Sequence, residues 1–277
     1  MKNIPRFYVL FQAARIKTLP AAICPVVIGG ALAQRFDWLF WTVLITTCLI
    51  QIATNFANDL FDFKKGADTL DRLGPVRVTS AGLATELQMK NVLVATLIIS
   101  GILGLIIVLN SHWVILLVGL VSLVLVLAYT TGPFPLSYLG VADFFVIIFF
   151  GPVATAGTYF VLSGDLSRAS LSVGLAVGLI STAILVVNNT RDMSEDIKVG
   201  KRTLQVRFGR KFSNLEYLFL VLLPSFLLNF QSLFIYLFLA LVLIFLFIRA
   251  KTGGEFNRLL GLTSFALILF TFLFIYG

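Results

Sequence analysis

The chain has 277 residues, of which 59% are hydrophobic and 12% are charged, and its formal net charge is +8. A soluble domain could not hide so large an apolar fraction, so the composition excludes that class and predicts a protein that crosses a membrane several times. In a membrane protein an excess of basic residues follows from topology, and we expect no nucleic-acid partner.

Nine apolar segments of roughly membrane-spanning length follow one another, so the sequence predicts an all-α membrane protein with nine transmembrane helices. Two of the gaps between them are long, and we expect residues 62–91 and 190–212 to form two cap loops. The whole chain, 1–277, is predicted to form a single domain. The nine segments are about 18–35, 39–61, 92–109, 112–130, 138–162, 170–189, 213–229, 231–248 and 259–276.

Lysine and arginine are distributed unevenly about these segments. With nine spans, 19 of the 21 basic residues fall on the side of the N-terminus, and the opposite side holds only Arg35 and Arg168. Because basic loops stay in the cytoplasm, the N-terminus and both cap loops are predicted to be cytoplasmic.

Acidic residues are concentrated where two of the predicted helices reach that side. Seven of the 13 Asp and Glu residues lie in two short stretches. Asn58 and Asp62 are four residues apart in the first, and Asn188, Asp192 and Asp196 follow at the same interval in the second. Residues at this spacing share one helix face. Carboxylates at a membrane boundary usually mark a functional site.

The two stretches offer oxygen ligands for a hard cation. Asp68 adds a carboxylate beyond Gly66, a residue that lets the backbone turn back. Carboxylate and amide oxygens suit Mg²⁺, which is commonly completed by substrate phosphates, and no cysteine or histidine stands nearby to suit zinc, copper or iron. Asp59 faces another side of the helix, and for it ligation and a supporting role are both open. The predicted metal ligands are Asn58, Asp62, Asp68, Asp192 and Asp196, and the four carboxylates among them are the predicted catalytic residues.

Basic residues alternate with the acids in both stretches. Arginine pairs with phosphate in a two-point manner, whereas lysine acts as a mobile point charge. Together with Mg²⁺, such cations would neutralise a diphosphate, as its departure with negative charge requires. Cytoplasmic loops are also basic for topological reasons, and we prefer that explanation for Lys198, Arg210 and Lys211.

Both acidic motifs resemble those of the UbiA superfamily of intramembrane aromatic prenyltransferases. That family's first motif is Asn-x-x-x-Asp with a further Asp downstream, which stands here as Asn58, Asp62 and Asp68. Its second motif, Asp-x-x-x-Asp, stands here as Asp192 and Asp196. The family has nine transmembrane helices around a central cavity, so the resemblance implies that architecture.

Three other stretches narrow the resemblance. Residues 71–77, 129–140 and 188–209 are similar to segments of the 1,4-dihydroxy-2-naphthoate polyprenyltransferases of menaquinone synthesis. The implied reaction is Mg²⁺-dependent transfer of a polyprenyl group from its diphosphate to 1,4-dihydroxy-2-naphthoate, with loss of CO₂, to give demethylmenaquinol. It would take place in the cell's inner membrane, at a site that faces the cytoplasm and is surrounded by lipid.

The same resemblance implies how the substrates lie. The isoprenoid tail would occupy the apolar cavity, and Mg²⁺ would bridge the diphosphate to the two motifs. Tyr129 and Tyr138 would orient the aromatic substrate, although a place in the interfacial aromatic belt is equally open to them. The residues expected to contact the diphosphate or the acid substrate are Lys65, Arg72, Arg77, Lys201, Asn188 and Arg191.

Other functions remain open at this point. Sister prenyltransferases that use 4-hydroxybenzoate, homogentisate, haem or chlorophyllide share the acidic motifs, so only the acceptor separates them. A cation or phosphate transporter is a candidate from a different class, but transporters place their site near the bilayer midplane, whereas both clusters lie at one surface. A structural membrane subunit would not need clustered acids.

Overall fold

The computed structural model describes residues 6–66, 74 and 77–277, and all regular secondary structure in that part of the chain is helical. Short 3₁₀ turns lie at Ile16–Thr18 and Leu223–Leu227, and a π-helical turn lies at Phe149–Val153. The α-helices are α1 Arg6–Ala14, α2 Pro20–Ala33, α3 Trp38–Lys64, α4 Glu86–Leu109, α5 Val114–Ala128, α6 Leu136–Leu139, α7 Ala142–Ile148, α8 Ala154–Ser163, α9 Arg168–Arg191, α10 Met193–Lys198, α11 Leu204–Leu222, α12 Phe230–Arg249 and α13 Gly253–Tyr276.

Each predicted apolar segment overlaps one of these helices, but not all of them are long and apolar enough to cross a membrane. In the described residues six spans meet that condition: α3, α4, α7 with α8, α9, α12 and α13. A seventh is possible if the bent pair Tyr8–Thr18 and Pro20–Ala33, which turns by 58°, forms one span. The predicted count of nine therefore stays a prediction.

The length of α3 explains how its C-terminal end leaves the membrane. Asp37 caps its start, because its Oδ1 accepts hydrogen bonds from the backbone N–H groups of Leu39 at 3.0 Å and Phe40 at 3.3 Å. Its 27 residues would rise about 40 Å, more than the ~30 Å of a hydrocarbon core. The last turns, which carry Asn58 and Asp62, can therefore extend beyond the apolar region.

Helix α9 is the central helix of the bundle. It packs against α2, α7, α8, α11 and α13, and most of its apolar stretch is buried. By contrast, α4 and α12 expose many aliphatic and aromatic side chains, as expected where lipid surrounds a protein. The second acidic motif thus lies at the end of the helix with the most extensive packing.

The break between α7 and α8 depends on glycine. Gly151 departs from helical geometry (φ −111°, ψ −109°), and Pro152 follows it without a backbone N–H. A Cβ on Gly151 would lie 2.6 Å from the carbonyl oxygen of Gly174, and one on Gly178 would lie 2.2 Å from that of Ile147. Only glycine permits this close approach to α9, which fixes the wall of the cavity described next.

Candidate active site

A cavity of about 600 Å³ opens between α3, α4, α5, α7, α8 and α9. Its interior is apolar and is lined by Leu105, Leu116, Phe145 and Phe149, among others. Its polar end contains both predicted motifs as far as the structure describes them: Asn58, Asp62, Asn188, Asp192 and Asp196. The side chains of the two motifs therefore share one cavity, with a polar end and an apolar interior.

The first wall of the polar end consists of Asn58 and Asp62 on α3. Asp62 is 2% exposed, and its partners come from three other segments. Arg77 donates from Nη2 to Oδ2 at 2.9 Å, and Lys201 donates from Nζ to the same oxygen at 3.3 Å. Tyr138 donates its hydroxyl to Oδ1 at 3.2 Å. Both carboxylate oxygens thus face donors supplied by the chain itself.

Two lysines gather at the ring of Tyr138. Lys65 Nζ lies 4.2 Å from the ring centroid and Lys201 Nζ lies 5.0 Å from it. Lys201 also lies 3.9 Å from Asp196 Oδ1, so it connects the two motifs. Desolvation lowers the pKa of Lys65, with a further contribution from the Lys201 ammonium, while Asp62 opposes the shift. Two cations held this close favour an anion between or beside them.

A backbone junction holds Tyr138 and Lys201 together. The N–H of Arg202 donates to the carbonyl oxygen of Tyr138 at 2.9 Å. Arg207 donates from Nη2 to Leu139 O at 2.8 Å and from Nε to Arg202 O at 3.0 Å. The segment around α6 is therefore docked on the turn that precedes α11. This docking brings Lys201, which follows Asp62 by 139 positions in the sequence, to the Asp62 carboxylate.

Asn58 has a neighbour that the sequence reasoning missed. Thr130 donates its hydroxyl to Asn58 Oδ1, and its carbonyl oxygen accepts from Lys65 Nζ at 2.6 Å. Thr130 lies inside the 129–140 stretch that the resemblance had singled out as a whole. Tyr129, the residue before it, also lines the cavity, and its predicted contact with the aromatic substrate stays a prediction.

The second wall consists of Asn188, Asp192 and Asp196, at the end of α9 and on α10. Arg191 forms a two-point pair with Asp192, from Nε to Oδ1 at 2.7 Å and from Nη2 to Oδ2 at 2.8 Å. The same guanidinium donates to Asn188 Oδ1 and to Asn257 Oδ1, each at 2.7 Å. Its side chain is fully buried, so Arg191 supports this wall from behind. The predicted substrate contact of Arg191 stays a prediction.

The structure gives Asp59 a supporting role. Its carboxylate is buried and accepts hydrogen bonds from the backbone N–H groups of Val78 at 2.9 Å and Thr79 at 3.0 Å, and from the Thr79 hydroxyl. This anchors the end of the first cap loop to α3, next to Arg77. Asp68 and Arg72, also predicted for the site, lie outside the described residues.

A polar stripe below Asn58 was also missed. Gln51 donates to Thr18 Oγ1 at 3.2 Å, and Asn55 donates to Ala14 O at 2.9 Å. Gln51, Asn55, Asn58 and Asp62 follow one another at intervals of three or four residues along α3, a helical spacing that the sequence already displayed. The stripe continues the polar lining into the cavity.

The donors fit Mg²⁺ in kind. Both walls offer carboxylate and amide oxygens. Among the described residues, no three acidic, cysteine or histidine side chains converge to hold a metal ion by themselves. Both walls thus offer the ligand types that Mg²⁺ takes together with the oxygens of a phosphate-bearing ligand.

Comparison with known proteins defines the class. Residues 22–275 match the model of the UbiA prenyltransferase family. The 1,4-dihydroxy-2-naphthoate octaprenyltransferase of Escherichia coli (strain K12) is 36% identical over 218 residues, which cover 75% of this chain and 71% of that protein. The protein of the same name from Mycobacterium tuberculosis (strain ATCC 25618 / H37Rv) is 36% identical, covering 72% of this chain and 69% of the relative.

Solved structures agree on the fold. A UbiA homologue from Archaeoglobus fulgidus bound to DMAPP and Mg²⁺ superimposes with a TM-score of 0.65 at 12% identity, covering 97% of this chain and 99% of the other. The structure of a digeranylgeranylglyceryl phosphate synthase superimposes with a TM-score of 0.61 at 16% identity, covering 98% of each chain. At these identities the likeness establishes the fold alone.

The protein is thus an integral membrane enzyme of the class that transfers prenyl groups to aromatic acceptors. The chain belongs to the UbiA prenyltransferase family, whose model covers nearly all of it.

Proposed function

We propose that this enzyme transfers a polyprenyl group from polyprenyl diphosphate to 1,4-dihydroxy-2-naphthoate, with loss of CO₂, and forms demethylmenaquinol. The observation that carries the proposal is the shared cavity, whose polar end holds both acidic motifs and whose interior is apolar. The relatives named for this reaction favour naphthoate over the other aromatic acceptors.

The two ends of the cavity suit the two parts of the donor substrate. The isoprenoid tail would lie against Phe145, Phe149 and the leucines of α4 and α5, where burial of apolar surface contributes ~25 cal/mol per Å². The diphosphate would lie at the polar end, within reach of Arg77 and Lys201, with Lys65 beside them. Binding the tail and the diphosphate in this way would place the bond between them, the allylic C–O bond, where the apolar interior meets the polar end.

Metal binding would involve the oxygen donors of both walls. Asn58 and Asp62 would hold Mg²⁺ on one side and Asp192 and Asp196 on the other, with Asp68 as the further predicted ligand. When bound, Mg²⁺ would supply Lewis-acid neutralisation of the diphosphate. Arg77 and Lys201 would add positive charge toward the departing oxygens, where preorganised cations are most effective.

The reaction needs no covalent enzyme intermediate. The allylic C–O bond breaks and its electron pair leaves with the diphosphate, while the apolar walls keep water from the resulting cation. The electron-rich ring then forms a C–C bond at the carbon that bears the carboxylate. The bond to that carboxylate breaks, its electron pair restores the aromatic ring, and CO₂ departs.

The proposed topology has nine spans, a cytoplasmic N-terminus and a site that faces the cytoplasm from the inner membrane. The distribution of lysine and arginine supports it. Labelling of single cysteines introduced at the exposed positions Lys198 and Arg168 checks it: an impermeant reagent should reach position 168, and not position 198, from outside intact cells.

A direct assay tests the reaction. Purified protein is incubated with Mg²⁺, farnesyl diphosphate and a panel of aromatic acids, and the products are identified by mass spectrometry. The expected product from 1,4-dihydroxy-2-naphthoate carries the prenyl group and has lost CO₂, and EDTA should abolish it. A prenylated 4-hydroxybenzoate or homogentisate instead would assign the enzyme to a sister reaction.

A further inference from the structure

Two buried polar atoms in the lining of the cavity have no hydrogen-bond partner in the described part of the chain. Gln51 on α3 and Ser181 on α9 both line the cavity and are 9% and 3% exposed. Neither Gln51 Oε1 nor Ser181 Oγ is paired with another protein group. Leaving a buried polar group unpaired is costly, and most such groups in proteins have a partner. Both atoms therefore favour a ligand that brings a polar group to this part of the cavity.

The unpaired atom of Gln51 is a hydrogen-bond acceptor, and its neighbours determine this. Thr18 donates its hydroxyl to Arg15 O at 2.9 Å, so Thr18 Oγ1 can only accept further hydrogen bonds. Gln51 Nε2 donates to that oxygen at 3.2 Å, and Asn55 Nδ2 does so at 3.3 Å. The amide nitrogen of Gln51 is thus directed to Thr18, which leaves the amide oxygen for a ligand. Such a ligand must carry a donor.

Ser181 lies at the same depth on the helix of the second wall. It precedes Asn188 by seven residues, just as Gln51 precedes Asn58, so each lies about 10 Å along its helix from the motif. The next residue, Thr182, donates its hydroxyl to Gly178 O at 2.8 Å, as Ser and Thr in helices commonly do. Ser181 makes no such bond, so two walls offer a polar atom at one level of an otherwise apolar interior.

Resting on the proposed function, we infer that this level holds the aromatic acceptor, and that Gln51 Oε1 accepts a hydrogen bond from its 4-hydroxyl. The isoprenoid tail has no donor to offer, and the diphosphate lies at the polar end. In 1,4-dihydroxy-2-naphthoate the 1-hydroxyl is next to the carboxylate and donates to it, which leaves the 4-hydroxyl for the protein. The carboxylate then points to the basic residues that line the polar end, which are Arg15, Arg77 and Lys201.

Binding measurements test this contact without turnover. Purified full-length protein is supplied with Mg²⁺ and farnesyl thiolodiphosphate, an unreactive analogue of the donor. The dissociation constants of 1,4-dihydroxy-2-naphthoate and 1-hydroxy-2-naphthoate, which differ only by the 4-hydroxyl, are then measured under argon by ligand fluorescence. The unmodified protein should bind the dihydroxy acid about five- to tenfold more tightly, as one hydrogen bond to a buried acceptor allows. Equal affinities would overturn the inference.

A variant assigns that preference to Gln51. Gln51→Met removes the acceptor oxygen and keeps an unbranched side chain. It should bind both acids equally, with about the affinity that the unmodified protein has for 1-hydroxy-2-naphthoate, and Gln51→Leu provides a second reading if the first variant folds poorly. A purely structural effect would weaken both acids and leave their ratio unchanged. A folded variant that keeps the preference for the 4-hydroxyl would contradict the contact.

The matched control is Thr54→Val. Thr54 lines the same cavity on α3, but its hydroxyl donates to Ile50 O at 2.9 Å within the helix, so the preference should not change. Loss of the preference in this variant would count against the assignment to Gln51. The two possible failures are distinguishable. If the unmodified protein binds neither acid, the proposed function itself fails, whereas binding without a preference for the 4-hydroxyl removes only the contact with Gln51.

Discussion

The two walls of the polar end present similar oxygen donors but are assembled in different ways. On the second wall, Asp192 is held by the neighbouring Arg191, which also fixes Asn188. On the first wall, Asp62 is held by Arg77, Tyr138 and Lys201, which come from three separate segments. The contacts among Asn188, Arg191 and Asp192 are therefore formed once α9 has formed, whereas those of Asp62 need the segments that carry Arg77, Tyr138 and Lys201 to dock on α3.

This difference suggests a division of labour. A carboxylate such as Asp192, whose partner lies at the end of the same helix, keeps its geometry whether or not the surrounding loops move. A carboxylate whose partners come from loops changes its surroundings when those loops change. We therefore expect the second wall to contribute a fixed ligand and the first wall to respond to the substrate.

The largest expected effect is a loss of activity that should be similar for a substitution in either wall. Asp62→Asn and Asp192→Asn each remove one carboxylate charge, and each should lower the rate of prenyl transfer by about two to three orders of magnitude, as loss of a key electrostatic group commonly does. Steady-state assays of purified protein measure this. Glu195→Gln, on α10 next to Asp196, is the control and should retain activity because Glu195 pairs with the exposed Lys198. An active Asp192→Asn variant would show that the walls are not equivalent in chemistry.

The walls should differ when their supporting arginines are removed. Arg191→Met leaves Asp192 buried without its two-point partner, a change that typically costs about 3–5 kcal/mol of stability. Arg77→Met should cost less, because Lys201 and Tyr138 still contact Asp62. Thermal unfolding in detergent, followed by circular dichroism, measures both.

The double variant Arg191→Met/Asp192→Asn tests the cause of that instability. Removing the stranded charge should restore part of the stability lost in Arg191→Met, because the pair rather than the guanidinium alone accounts for the loss. No recovery would mean that the contacts of Arg191 with Asn188 and Asn257 carry the effect instead.

Loss of the contact between the α6 segment and the turn before α11 should affect catalysis more than folding. Arg207→Met loses the donors to Leu139 O and Arg202 O, so Tyr138 and Lys201 are held less firmly beside Asp62 and kcat/KM should fall by roughly tenfold. The thermal midpoint should change little because Arg207 is exposed. Lys211→Met, on the same helix, is the control. A fall in stability without a change in kcat/KM would assign the junction a purely structural role.

The sequence predicted the ends of α3 and α9 well because periodicity and charge are local properties. Four-residue spacing placed Asn58 and Asp62 on one face of α3. It also predicted one helix face for Asn188, Asp192 and Asp196, but α9 ends at Arg191 and Asp196 lies on α10. The structure nevertheless brings both sets to one cavity. The pairing of each acid with a base was beyond the sequence. Which lysine reaches Asp62 depends on how α6 docks against the turn before α11, and nothing in the spacing of Lys201 encodes that contact.

Asp59 and Arg191 also show what the sequence could not predict. For Asp59 the sequence left ligation and a supporting role open. Its carboxylate accepts hydrogen bonds from the backbone N–H groups of Val78 and Thr79, a contact that depends on how the loop folds back onto α3. Arg191 forms a buried pair with the adjacent Asp192, and its predicted contact with the substrate stays a prediction. The direction of the Arg191 side chain depends on the last turn of α9, which ends at Arg191, and sequence alone does not show where that turn points.

The smallest expected effect concerns the hydroxyl of Tyr138, the one neutral partner of Asp62 among those described above. Tyr138→Phe removes its hydrogen bond to Oδ1 but keeps the ring beside Lys65 and Lys201. A hydrogen bond to a charged group contributes about 1.5–3 kcal/mol at most, and the two remaining cations compensate in part, so kcat should fall only about three- to tenfold. Tyr138→Leu removes the ring as well and should cost more, mainly in the KM for the diphosphate, because the lysines lose their common platform. Equal kinetics of the two variants would mean that the ring does not position the lysines, and the first wall would then depend on Arg77 and Lys201 alone.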